Sequence, residues 1–386
     1  MKKQLKEPLK NDGMQQGTSE IDTALRVFQR FPKPKNVSAF LITNPTNIAY
    51  LTGFTGSNGF LLVTKNKTIL FTDSRYIERA KYSVPKFVTL KDITKLWRNP
   101  KELKKEWQKT LKSLRIRSIG FEGSHLTVNQ FKKYRRISRA GASGTSRSIK
   151  FKDISGEVES LRAIKNPYEI SLIKKSQQIN MRTFELIKNF IQARAASRTQ
   201  ARIAKHRPLR EIDVVWEIKR IAHELGAEDV SFEPIVAFGK NSSMPHHKSG
   251  NTILKKNDII LIDMGMKYKG YCSDMTRTIL PKKPTKLQKE VYDIVKEAQK
   301  NALAKIKTGM TEQKIDSLAR KVIEKYGYAE NFTHGTGHGV GLEIHESPSL
   351  HEKGKQKIKP GMVMTIEPGI YLPGKFGVRI EDITIL

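Results

Sequence analysis

Asp263 sits in Ile259-Ile260-Leu261-Ile262-Asp263-Met264, an apolar strand pattern from which desolvation should expel a carboxylate unless a cation meets it. Asp274 follows on the next strand, Tyr271 to Leu280. A hairpin turn through Lys267-Tyr268-Lys269-Gly270, centred between Tyr268 and Lys269, predicts that Asp263 pairs directly with Asp274, about 5 Å apart on one face. Two like charges so placed repel, and one takes up a proton unless a cation bridges them. The construction recurs near the C-terminus, where Met362 to Glu367 and Gly377 to Glu381 flank Pro373-Gly374-Lys375. A turn centred on Gly374 sets Glu367 opposite Glu381. Any one of these acids alone could be a half-exposed strand charge or a salt-bridge partner. The same pairing twice points to a metal.

His338 supplies a nitrogen ligand from His334-Gly335-Thr336-Gly337-His338-Gly339-Val340-Gly341-Leu342, whose glycines predict a loop with close backbone approach rather than a helix. His345 and His246, the latter after Met244-Pro245, are candidates for the surround of the metals. Four carboxylates and one imidazole make a hard, oxygen-rich site that favours manganese, with cobalt, zinc and iron as alternatives. Two ions about 3.5 Å apart can hold a hydroxide nucleophile and polarise a carbonyl together, so the chemistry expected is hydrolysis.

These residues need elements to carry them. Ala39 to Ile42, Gly59 to Val63 and Thr68 to Phe71 read as strands broken by Asn-Pro and Lys-Asn-Lys turns. Glu102 to Leu114 and Val128 to Arg135 read as amphipathic helices on either side of a strand at Ile119-Gly120-Phe121. The expected organisation is a poorly determined lead-in at 1–36, an α/β domain at 37–155 and a larger domain at 156–386. The stretch 132–152, with eight Lys/Arg and no acid, reads as a flexible linker. Asn166-Pro167 opens a helix expected to run to about residue 192.

A faint internal repeat follows: Ile212-Asp213 and a helix to Gly226 resemble Ile315-Asp316 and a helix to Gly327. Each copy leads to a histidine segment and a hairpin bearing two carboxylates, which predicts a pseudo-twofold domain with a site at the junction of its halves. The first copy also carries residues 194–210, with six Lys/Arg and no acid, which read as an insertion.

Lys plus Arg number 71 against 38 Asp plus Glu, a formal charge of +33, which raises nucleic acid as a partner. The excess is scattered over amphipathic segments instead of forming one stripe, so no nucleic-acid partner is expected. One cysteine, Cys272, excludes an intrachain disulfide. With no signal peptide or membrane span legible in the sequence, the expectation is a soluble cytoplasmic protein.

Asp263-Met264-Gly265 with Gly270 to Thr278, His334 to Leu342, Ile366 to Tyr371 and Arg379-Ile380-Glu381-Asp382 together resemble the pita-bread metallopeptidases, the group of aminopeptidase P, prolidase and methionine aminopeptidase. Tyr50 to Ser57 and Thr72 to Tyr76 resemble the creatinase-type N-terminal domain. The fold implied is α+β, a C-terminal pita-bread domain with pseudo-twofold symmetry preceded by a smaller α/β creatinase-type domain.

By the resemblance, Asp263 would serve one metal and Asp274 both, His338 and Glu367 one each, and Glu381 would bridge. His246 and His345 would contact substrate and steady the tetrahedral intermediate, and Glu367 would shuttle the proton. The N-terminal domain and Arg379, two residues before the last ligand, separate the chain from methionine aminopeptidase. The N-terminal signatures favour an Xaa-Pro aminopeptidase acting on peptides with proline in second position, as a homodimer or higher homo-oligomer. Prolidase is the alternative, and a non-catalytic basic binding module or a metal-free creatinase-like C–N hydrolase would each be expected to lack ligands. The chain stops five residues after Glu381, which leaves little to hold the final strand.

Overall fold

The computed structural model describes residues 37–97, 99–139, 148–200 and 207–386. The lead-in 1–36 and the middles of the two basic stretches, 140–147 and 201–206, lie outside the described residues. Two compact units divide between Arg162 and Ala163.

The first unit runs β1 (Ala39–Ile42), α1 (Pro45–Thr52), β2 (Gly59–Thr64), β3 (Thr68–Thr72), α2 (Ser74–Ser83), β4 (Val88–Asp92), α3 (Thr94–Trp97), α4 (Pro100–Ser113), β5 (Ser118–Phe121), α5 (Val128–Ile137), β6 (Lys150–Asp153) and α6 (Glu157–Arg162). Its sheet has the order β4-β3-β2-β1-β5-β6, antiparallel among β1, β2 and β3 and parallel at both ends. Asn44-Pro45 is not the turn expected of it. Proline occupies the first helical position, where its missing N–H costs nothing, and Asn44 Oδ1 accepts from the Thr46 N–H at 2.9 Å, so α1 begins there. The basic stretch 132–152 is likewise more than a linker: it contributes the end of α5 and, in β6, a strand of the sheet. α6 extends the first unit beyond residue 155, because Arg162 Nη1 donates to Asn47 Oδ1 at 2.9 Å and Asn47 Nδ2 to Glu159 at 2.7 Å.

The second unit opens with α7 (Pro167–Gln200) and α8 (Glu211–Glu224). Asn166 Oδ1 caps α7 through the Tyr168 and Glu169 N–H groups, and the helix continues past residue 192 into the basic stretch. Then come β7 (Asp229–Val230), β8 (Ile235–Phe238), β9 (Ile260–Met264), β10 (Met266–Tyr268), β11 (Tyr271–Cys272), β12 (Met275–Ile279), α9 (Lys286–Lys305), α10 (Glu312–Lys325), β13 (Gly337–Gly339), β14 (Glu346–Leu350), β15 (Val363–Ile366), β16 (Gly369–Leu372), β17 (Phe376–Arg379) and β18 (Asp382–Ile385). Each half buries its own core. Ile187, Val214, Ile218, Phe238 and Ile262 pack in the first, and Val295, Ala298, Ile315, Met364 and Val378 in the second.

The halves repeat at atomic detail, but not through the Ile-Asp pairs. Glu211 and Glu312 both begin their helices, Gly226 and Gly327 both end them at positive φ, and the spacing between the members of each pair is the same. Gly226 N–H bonds His223 O and Ala227 N–H bonds Ala222 O; Gly327 to Glu324 and Tyr328 to Ile323 repeat the pattern. Asp213 instead closes the start of its own helix on Arg210, while Asp316 accepts from Thr336, so the two aspartates are not equivalent.

Among the described residues no helix is long and apolar enough to cross a membrane. The final strand is well held: β18 pairs with β15 over four positions and Asp382 accepts from Gln299 Nε2 at 2.6 Å.

The first hairpin differs from expectation. β10 pairs with β11 as Tyr268↔Tyr271, so the turn is Lys269-Gly270, with φ of 47° and 79°. Two central residues with positive φ match the twist of the flanking strands. Gly270→Ala is therefore expected to cost about 1 kcal/mol, lowering the melting temperature by about 2–4 °C. Thermal denaturation checks it, and an unchanged midpoint would count against a strained turn.

Candidate metal centre

The turn position sets the register, and the register sets the site. β9 and β12 pair as Thr276↔Asp263, so Asp274 lies diagonally from Asp263 instead of directly opposite, and Thr276 takes the facing position. In the second hairpin, Gly369↔Arg379 on one side and Ile366↔Asp382 on the other bracket a break in the ladder, which places Glu367 opposite Glu381. The hairpins are stitched together where β12 meets β17. Thr278 Oγ1 donates to Arg379 O at 2.9 Å, and the Glu381 N–H donates to Thr276 O at 3.1 Å.

His338 arrives on a short strand and not on the loop its glycines suggested. A Cβ on Gly337 would stand 2.0 Å from Thr365 O, and one on Gly339 would stand 2.3 Å from Ser347 O, so glycine is what lets β13 lie between its neighbours. Its Nδ1–H donates to Gly339 O at 3.1 Å, which leaves the Nε2 lone pair facing Asp274 Oδ2 and Glu367 Oε1, each 3.5 Å away. A lone pair directed at two carboxylates is repulsive without a cation between them. Ligand atoms of Asp274, His338 and Glu381 all lie within 4.8 Å of one another. Asp263 Oδ1 and Asp274 Oδ1 are buried without any hydrogen-bond donor. The donor set fits a divalent ion.

The electrostatics give the same result. Burial, then the charges of Glu381, Asp263 and Glu367, push the Asp274 carboxyl well above the carboxylate range. Glu381 is raised by burial and by Glu367 and Asp263, although Thr276 Oγ1 donates to its Oε2 at 2.6 Å. Burial raises Glu367 to about 7, against the lowering effect of Arg379. Each shift marks charge that a metal would compensate.

Arg379, buried at 4 % side-chain exposure, is the cation the site holds itself. Nη2 donates to Asp263 Oδ2 at 2.7 Å, Nε to Thr276 Oγ1 at 3.0 Å and Nη1 to Tyr371 Oη at 2.8 Å. Burial and the Arg379 charge depress His334 to about 4, so the ring is neutral and its Nε2 accepts from Tyr371 Oη at 2.9 Å. Tyr371, His334 and Thr276 were not singled out from sequence. Threonine and tyrosine in strands are ordinary, and their role emerges only from the register that faces them to Arg379.

The two remaining histidines lie at the rim. His345 is exposed as a residue, but its ring lies 4.4 Å from that of His338, and this partial burial of the imidazole lowers its pKa. His246 is exposed too, close enough that its charge acts on His334, His345 and Glu367. All eight residues expected of the site therefore gather in the second unit.

Residues 171–386 match Metallopeptidase family M24, and residues 25–164 match the Creatinase/Prolidase N-terminal domain, a match that starts within the lead-in. The chain is 32% identical over 364 residues to the Xaa-Pro dipeptidase of Pyrococcus furiosus, covering 92% of this chain and 93% of that one. The solved Xaa-Pro dipeptidase from Bacillus anthracis is similar at 35% identity and a TM-score of 0.79, over 96% of this chain and 95% of that one. The X-Pro aminopeptidase from Thermotoga maritima is similar at 33% identity and a TM-score of 0.76, over 91% and 93% respectively.

Proposed function

The chain belongs to metallopeptidase family M24, and from that membership we propose that it hydrolyses the bond between an N-terminal residue and a following proline, as an Xaa-Pro aminopeptidase. It is a hydrolase with a creatinase-type unit preceding a pita-bread unit. The observation that carries the reading is the Nε2 lone pair of His338 facing Asp274 and Glu367, with Glu381 in the same cluster and one oxygen each of Asp263 and Asp274 buried without a partner.

Those five residues would hold two divalent ions, manganese best among them because four of the five donors are hard carboxylates. When bound, such ions lower the pKa of a water and polarise the scissile carbonyl. The chain's own groups do the rest. Arg379 holds Asp263 in one orientation through the 2.7 Å bond. Glu367, 3.5 Å from His338 Nε2 and raised by burial to about 7, is the carboxyl that moves the proton from the attacking water to the leaving proline nitrogen. His246 and His345, at the rim, donate to the substrate carbonyl as its oxygen gains charge.

The dipeptidase reading rests on the names of two of the three relatives. The two separate in one assay with the purified manganese-loaded protein. Release of the first residue from an Xaa-Pro-Xaa tripeptide, with an Xaa-Pro dipeptide cut much more slowly, is the expected result. Cleavage of the dipeptide alone would make it a dipeptidase, and cleavage of neither would remove the proline specificity.

A further inference from the structure

Glu211 carries a carboxylate that is fully buried and lies outside the ligand set. Its four hydrogen bonds all come from a single segment. Oε1 accepts from the Phe238 N–H at 2.9 Å and from Asn241 Nδ2 at 2.8 Å; Oε2 accepts from the Gly250 N–H at 3.1 Å and from His247 Nε2 at 2.9 Å. The backbone of the same helix start adds Glu211 N–H to Thr252 O at 3.1 Å and Ile212 N–H to Gly250 O at 3.0 Å. One helix terminus thus closes both ends of the segment 238–252, whose middle presents His246.

The pseudo-twofold supplies an internal control. Glu312 holds the equivalent position in the second half and accepts from the Ser349 and Gln356 N–H groups, while Glu312 and Gln313 N–H groups bond Gln356 O and Gly354 O. Among the described residues that copy is a backbone clamp only. The first copy adds two side chains, Asn241 and His247, and His247 directly follows His246. Between Ser242, whose Oγ accepts from the Gly377 N–H at 2.9 Å, and Gly250, two side-chain bonds flank His246: His247 Nε2 to Glu211 on one side and Arg379 Nη1 to Pro245 O at 3.4 Å on the other. The backbone there is a tight turn, His247 N–H to Met244 O at 3.1 Å.

We propose that the Glu211–His247 pair is a positioning device for the reaction, fixing the turn that presents His246 to the substrate. The inference rests on the reading above that His246 touches substrate. A buried carboxylate that accepts from two donors at each oxygen has no slack: its donors must stay where it holds them. His246 is thereby held at the rim through its neighbour in the chain, and its own ring is exposed toward the substrate.

The test is a cycle of His246→Ala, His247→Ala and the double variant, assayed on an Xaa-Pro-Xaa peptide with manganese, with His247→Gln as the conservative replacement. His247→Ala is expected to lower kcat/KM about tenfold, mostly in kcat, as a small displacement of a positioned group does. In the His246→Ala background the same change is expected to have less than about a twofold effect. His247→Gln, whose amide can still donate to Glu211, should recover most of the loss. Bound metal and melting temperature are measured on every variant. If His247→Ala is fully active, or if its effect multiplies with that of His246→Ala, the positioning role is overturned while His246 keeps its place. If His246→Ala is itself fully active, the substrate-contact reading falls, and this inference with it.

Discussion

Asp274→Asn is expected to abolish hydrolysis, a loss on the order of a thousandfold or more, while making the metal-free protein more stable. The two effects have one cause. Asp274 is buried beside Glu381, Asp263 and Glu367, and its Oδ1 has no donor. A carboxyl whose folded pKa is raised contributes its stability below the unfolded value and loses it as pH rises through the folded one. At neutral pH the metal-free fold therefore carries the cost of burying this carboxyl, whether as a charge or as the proton it takes up. Asparagine removes it, and relief of about 1–2 kcal/mol would raise the melting temperature by about 2–4 °C for each kcal/mol. The same substitution removes one of the three groups whose ligand atoms cluster together, so added manganese should no longer raise the midpoint. Calorimetry with and without the metal reads both. A variant destabilised when metal-free, or still stabilised by manganese, would show that the like charges do not govern this site.

What could be read in advance divides along physical lines. The second hairpin was legible because Pro373-Gly374-Lys375 marks its centre, Gly374 at φ 73° being the residue that admits the turn. The first was misjudged because the tight turn uses Lys269 at φ 47°, a conformation that nothing about lysine announces. That error hid Thr276, the residue that faces Asp263 and bonds both Glu381 and Arg379. Asn44-Pro45 was ambiguous in the same way, since a proline that ends an extended run and one that opens a helix look alike until the cap bond from Thr46 is in place. Apolar periodicity finds strands and helices. It does not count the residues in a turn, and in this domain that count decides which polar groups meet.

Arg379→Met should move the molecule the opposite way from Asp274→Asn. Its guanidinium holds Asp263, Thr276 and Tyr371 at 2.7, 3.0 and 2.8 Å with 4 % of the side chain exposed. Methionine fills most of that volume but leaves the Asp263 carboxylate without its cation, and breaking a buried pair from one side costs about 3–5 kcal/mol. The metal-free variant is expected to melt well below the parent, by about 2–4 °C for each kcal/mol. A divalent ion at the ligand cluster would then meet an uncompensated carboxylate with no nearby guanidinium to repel it. The rise in midpoint on adding manganese should accordingly exceed that of the parent, although hydrolysis stays impaired because nothing fixes the orientation of Asp263. A metal-free variant as stable as the parent, or one whose manganese-induced rise is no larger, would show that Arg379 is not the charge that balances Asp263. Read together, the two variants separate repulsion within the carboxylate cluster from the attraction that holds it in place.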